Sequence, residues 1–207
     1  MDYWDTATAE LSGRDPVLSG IIRRSGTERL DGSGDPFVTL ANAIVGQQIS
    51  TVVAAAIWRR LNDAFPDLSP AAVAVAPEGR LRACGLSRRK VEYLYGIARA
   101  ILDGTLDFSL LAAADDETVR KLLIAIRGVG PWTAEMFLIF HLRRPDILPL
   151  GDVGLLRGCQ KLYRWPKEEA GPVLRQRTAN LGESWRPWRT VATWYVWRDL
   201  DSSPVVY

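Results

Sequence analysis

Asp152 is the residue in this sequence best placed to do chemistry. It follows a stretch with prolines at 145 and 149 and a glycine at 151, and the residues from Val153 to Tyr163 read as a helix. Asp152 therefore reads as the N-cap of that helix. Backbone N–H groups at a helix start favour an ionised carboxylate, and such a charge can stabilise a cation developing in a transition state. The same geometry also suits a plain structural cap, so the two roles are compatible. A second feature is the run Gly128-Val129-Gly130-Pro131-Trp132. Glycine tolerates positive φ where a helix must stop, and proline suits the first position of the next helix because its missing N–H would have no partner there. Two bare glycines also let a phosphate approach the amide groups that open the second helix. Such a contact would hold a nucleic-acid backbone without reading its sequence. A Gly-stopped helical hairpin with no ligand is the alternative.

These groups need elements to hold them. Val119, Leu122, Leu123 and Ile126 recur at i, i+3, i+4, i+7, which predicts one buried stripe on a helix ending near Arg127. Asp115 or Asp116 caps its start. The stretch from Thr133 to His141 is apolar almost all round, which predicts a central helix, and His141 near its end is read as structural. Pro36 opens an apolar helix broken near Gly46 and followed by a second helix through Leu61. Gln47 and Gln48 are neutral amides at that junction, where a polar helix start is one reading. Ser87 reads as an N-cap with Arg88, Arg89 and Lys90 in the first turn behind it. Three cations there oppose the helix macrodipole, which points to an anion nearby such as a DNA phosphate. A solvated basic face is the competing reading. Trp185, Trp188, Trp194 and Trp197 fall within thirteen residues, and most are expected in the core. Strand-like alternation is missing while helical spacing recurs, so the expected fold class is all-α.

Composition bounds the rest. A chain of 207 residues with 47% hydrophobic content and a mean hydropathy of -0.04 can bury a substantial core as one helical unit. No basic and apolar leader is visible, nor any run of about 18 apolar residues, so an intracellular protein without a membrane segment is expected. Cys84 and Cys159 are too few for a disulfide framework, and a single His leaves no zinc constellation, so no metal held by side chains is expected. The net charge of +2 says little by itself, and the placement of the charges matters more. Gly32 to Asp35 reads as a loop after two short helices.

The stretch GVGPWTAE, Gly128 to Glu135, resembles the hairpin of the helix-hairpin-helix DNA glycosylases, specifically the 3-methyladenine DNA glycosylase II family. That superfamily follows its hairpin with a Gly/Pro-containing loop and a catalytic Asp. Here Asp152 stands twenty residues after Trp132, the family's spacing. AIVGQQIS (Ala43 to Ser50), GLSRRKVEYL (Gly85 to Leu94) and WRPWRTVATWYVW (Trp185 to Trp197) are similar to further family segments in the same order, so the resemblance covers nearly the whole chain.

What the resemblance implies is specific. It implies a two-lobed all-α helix-hairpin-helix glycosylase fold with the active-site cleft between the lobes. Residues 1–207 would form a single unit: a lobe of 36–150 containing the hairpin, and a lobe of 1–35 plus 151–207. About 35 residues precede the first shared motif, which implies the compact form lacking the N-terminal β domain of larger members. Asp152 takes the catalytic role, Trp132 and Trp197 form the base pocket, and Gln48 is the wedge that fills the gap left by an extruded base. Gly128, Val129 and Gly130 hold the DNA backbone, with Arg88, Arg89 and Lys90 as phosphate contacts. Bifunctional members carry a lysine where Trp132 stands, so a monofunctional enzyme is implied. A monovalent cation, Na+ or K+, at the backbone of Arg127, Gly128 and Gly130 is also implied. No other cofactor is expected, since two distant cysteines cannot hold a four-cysteine iron–sulfur cluster. The implied partner is double-stranded DNA containing alkylated bases, bound by a monomer. The implied activity is base excision: flipping an alkylated base and hydrolysing its N-glycosidic bond. The alternatives are a non-catalytic DNA-damage-binding protein of the same fold and, outside nucleic acid, a helical protein–protein module.

Overall fold

The computed structural model describes residues 3–30 and 34–200, and among these it forms thirteen α-helices and no strand. Helices α1 (Trp4–Arg14) and α2 (Pro16–Ser25) are separated by Asp15 alone, which caps α2 while Pro16 takes its first position. The loop expected at Gly32 to Asp35 lies partly outside the described residues. Asp35 then caps α3 (Pro36–Gly46) by accepting from Val38 N. Helix α4 (Thr51–Ala64) follows with Ser50 as its cap, then α5 (Pro70–Val75), α6 (Glu78–Ala83), α7 (Arg88–Leu102) and α8 (Phe108–Ala113). The hairpin pair is α9 (Asp116–Ile124), capped by Asp115, and α10 (Pro131–Phe140), opened by Pro131. After a loop come α11 (Val153–Leu162), α12 (Gly171–Glu183) and α13 (Arg189–Leu200). No helix among the described residues is long and apolar enough to cross a membrane.

The chain clusters into two compact units. Among the described residues, one contains 3–30 and 143–200, and the other 34–142. In the second unit α10 packs against α3 and α9, and α3 also packs on α4 and α7. Helices α3 and α10 are apolar around most of their circumference, which only a central position permits, and most of their residues are buried. The stripe on α9 is narrower than its spacing predicts: Val119 and Leu123 are buried, but Leu122 is 47% exposed. Helix α9 ends at Ile124, so Ile126 no longer lies on its face and is half-buried in the turn.

In the first unit α13 packs against α1, α2 and α11. Gly158 of α11 permits a close crossing, since a Cβ there would lie 2.4 Å from Val196 Cγ1. Trp185, Trp194 and Tyr195 are buried in this core, with Trp4 edge-on to Trp194 at 5.3 Å. The loop ahead of α11, expected with the hairpin-bearing lobe through residue 150, joins this unit instead, from Arg143. Its anchors explain why. Asp146 accepts from the Arg186 and Arg189 guanidiniums, and Thr190 Oγ1 accepts from Ile147 N and donates to the Arg144 carbonyl.

Candidate active site

Asp152 is the N-cap of α11, accepting from Leu155 N at 2.6 Å. The same oxygen accepts from Trp197 Nε1 at 2.9 Å. A cap bond and an indole bond thus orient one carboxylate from two helices. Asp152 is half-buried, and its neighbour Val153 is 57% exposed, so this helix end is partly open to water. Trp197, expected as a wall of a base pocket, is only 7% exposed, and its N–H serves the carboxylate. Gly154 lies against the same indole, where an added Cβ would come within 3.5 Å of its Cδ1 and Nε1. In this unit Trp197 acts as the residue that orients Asp152.

The hairpin turn belongs to the other unit and is held from several sides. Gly128 has φ +94°, and the ring of Tyr93 fills the place a side chain would take: a Cβ would lie 2.2 Å from Tyr93 Cγ. The bareness of Gly128 therefore serves packing against α7, not the approach of a ligand. Gly130 is the open one: a Cβ there would meet nothing within 4 Å. Val129 is buried and closes the turn by donating its N–H to the Ile126 carbonyl at 3.0 Å. Gln47 Nε2 donates to the Gly128 carbonyl and to Thr133 Oγ1, each at 2.9 Å, tying the end of α3 to the hairpin. Gln48, the next residue, is exposed and takes a left-handed φ of +57°. Trp132 is half-buried beside this corner, with its Cη2 3.7 Å from where a Cβ on Gly46 would stand.

The three cations of α7 have three different fates. Ser87 caps the helix through Lys90 N. The Lys90 ammonium leaves its own helix and donates to the Val45 carbonyl at 2.8 Å, near the C-terminal end of α3. A cation is unfavourable at the start of α7 but favourable at the end of α3, which accounts for its position without a phosphate. Burial there lowers the Lys90 pKa. Arg88 pairs with Glu92 at 3.6 Å, and Arg89 is exposed. At the backbone of Arg127, Gly128 and Gly130, where a cation is expected, the Gly128 carbonyl accepts from Gln47 and the Gly130 carbonyl from Ala134 N, and each keeps a second lone pair. Cys84 and Cys159 are free and buried, one in each unit. His141 packs against Phe137 at 4.8 Å between ring centroids.

Residues 41–185 match the family described as HhH-GPD superfamily base excision DNA repair protein. The chain belongs to that superfamily. The DNA-3-methyladenine glycosylase 1 of Schizosaccharomyces pombe is 32% identical over 201 residues, which cover 93% of this chain and 86% of that one. Among solved structures, the S. pombe 3-methyladenine DNA glycosylase in complex with abasic DNA superposes with a TM-score of 0.82 at 29% identity, covering 93% of this chain and 95% of that one. A DNA-3-methyladenine glycosidase from Bacillus halodurans gives 0.73 at 36% identity, covering 93% and 88%. In this member of the superfamily, four site features escape sequence reasoning: the Tyr93 buttress, the Gln47 bridge, the Lys90 contact and the orienting role of Trp197. Each is a contact between residues far apart in the chain, and only the left-handed turn at Gly128 leaves a local trace.

Proposed function

We propose that the protein is a monofunctional DNA glycosylase that releases alkylated bases from duplex DNA by hydrolysing the N-glycosidic bond. The observation that carries this reading is the half-buried carboxylate of Asp152, aimed by Leu155 N–H and the Trp197 indole. Membership of a base excision repair superfamily and the names of the relatives above support it. The bond to be cut is inaccessible inside the stack, so the target nucleotide must be extruded. Gln48, exposed on its left-handed turn, fills the vacated space and hydrogen-bonds the orphaned base. Gly130, the open residue of the hairpin, lets the DNA backbone approach the amide groups at the start of α10. Trp132 presents an indole face to the flipped base. Alkylation at N3 or N7 makes a purine cationic, so an electron-rich ring attracts it. The same charge makes the base a good leaving group without protonation. Its departure leaves an oxocarbenium-like sugar, which Asp152 stabilises while orienting the attacking water. Trp132 offers no amine for a Schiff base, so the strand stays intact. The enzyme works where the cell keeps its DNA, in nucleoid or nucleus.

Incubation with methylated duplex, with identification of the released bases, tests the reading. Free alkylated bases should appear, borohydride should trap no covalent adduct, and strands should break only after alkali. A trapped adduct would remove the monofunctional assignment. Duplex binding without base release would leave a damage-binding protein, and no duplex affinity would leave a protein–protein module.

A further inference from the structure

Glu92 is an exposed carboxylate beside the hairpin turn. It sits in the second turn of α7, one residue before the Tyr93 ring that fills Gly128. Its Oε2 is 3.3 Å from Arg127 Nη2 and its Oε1 is 3.6 Å from Arg88 Nε. One carboxylate thus engages two guanidiniums from two elements, one with each oxygen. The arginine side chains are 82% and 75% exposed and the carboxylate 41%. Exposed pairs of this kind contribute little to stability and are screened by salt, so this is a weak fastening. Arg89 adds an exposed third cation beside Arg88, and Arg127 immediately precedes the Gly128 turn. A DNA phosphate offers what Glu92 offers: one negative centre with two oxygens that can accept from two guanidiniums.

We propose that Glu92 is a built-in phosphate surrogate: it occupies Arg88 and Arg127 in the free protein, and a DNA backbone phosphate displaces it on binding. The inference rests on the DNA-binding reading above. The displaced carboxylate keeps its charge within a few ångströms of a polyanion, so it weakens the grip of the hairpin face and hastens release of the abasic product. Lys90 stands outside this set because its ammonium is held by the Val45 carbonyl. If Glu92 instead served to position Arg127 for DNA, removing its charge would have the opposite sign.

The test compares wild type, Glu92→Gln, Arg127→Gln and the double variant in binding a duplex with a stable abasic-site analogue across salt concentrations. Glu92→Gln should bind about three- to tenfold tighter at ~0.1 M salt, with a salt dependence steeper by up to about one unit of slope. Its single-turnover base release should match wild type while steady-state turnover falls, because product leaves more slowly. Arg127→Gln should bind more weakly, and most of the gain from Glu92→Gln should vanish in the double variant. Unchanged or weaker binding by Glu92→Gln overturns the proposal. Failure of the wild-type protein to bind any duplex would instead remove the DNA reading beneath it.

Discussion

Asp15 and Asp152 each begin a helix, each accept from a backbone amide three residues on, and each receive an indole N–H, from Trp185 and Trp197. Their surroundings diverge. Asp15 is 7% exposed, with Oδ1 accepting from Val17 N and Leu18 N and Oδ2 from the Tyr163 hydroxyl and Trp185 Nε1. Burial, reinforced by the Asp15 carboxylate, pushes the pKa of Tyr163 upward and that of Cys159 up to about 12. Asp152 has the same kind of cap and the same kind of indole partner, yet it is half-buried beside an exposed Val153. One motif therefore serves two ends. Surrounded by core and donors it locks helices together, and at a partly open helix end it presents an oriented charge.

The largest effect expected from breaking this pair is on chemistry. Asp152→Asn should leave α11 intact, since Asn caps helices about as well as Asp. Base release from methylated duplex should still fall by about 100-fold or more, because the charge facing the oxocarbenium ion is gone. Release at the wild-type rate would take Asp152 out of the mechanism. Asp15→Ala should do the reverse. Loss of a cap and stranding of two buried donors should cost about 2–4 kcal/mol in urea unfolding, with base release per folded molecule unchanged.

The two indoles sharpen the contrast at smaller scale. Trp197→Phe removes one hydrogen bond to the Asp152 carboxylate and should slow base release by about tenfold, with about 1 kcal/mol of stability lost from the smaller buried ring. Trp185→Phe should instead lower stability by about 1–2 kcal/mol at an unchanged rate. Matching behaviour of the two variants would collapse the distinction. The smallest effect is confined to alkaline pH. Cys159 has a folded pKa raised above its ordinary value of 9.0 to about 12, so its contribution is fully present below pH 9. The unfolded chain gives up that proton first, so stability falls as pH rises from 9 toward 12. Tyr163, also raised, adds to the loss above its ordinary value of 10.0. Urea midpoints measured from pH 8 to 11 should decline, and Cys159→Ala should make the decline shallower; an equally steep decline would exclude Cys159 as a source.

What the sequence by itself determined is local. The caps at Ser87 and Asp152 and the proline opening α10 each depend on residues within a turn of each other, so their types and spacing suffice, while for α9 the spacing left Asp115 and Asp116 as alternatives and the structure takes Asp115. The apolar circumference of α10 likewise announced a central helix. Only the tertiary structure decided the rest. Leu122 satisfies the helical spacing but faces water, because periodicity says which residues share a face and not how wide a face the neighbours cover. Gly128 reads as a turn residue, yet its lack of a side chain is also required by Tyr93, thirty-five residues earlier. Lys90 looks like a misplaced charge until the end of α3 comes beside it. Asp15 and Asp152 differ in role because burial and distant donors differ, and a chain read in order carries no record of which distant groups folding will bring together.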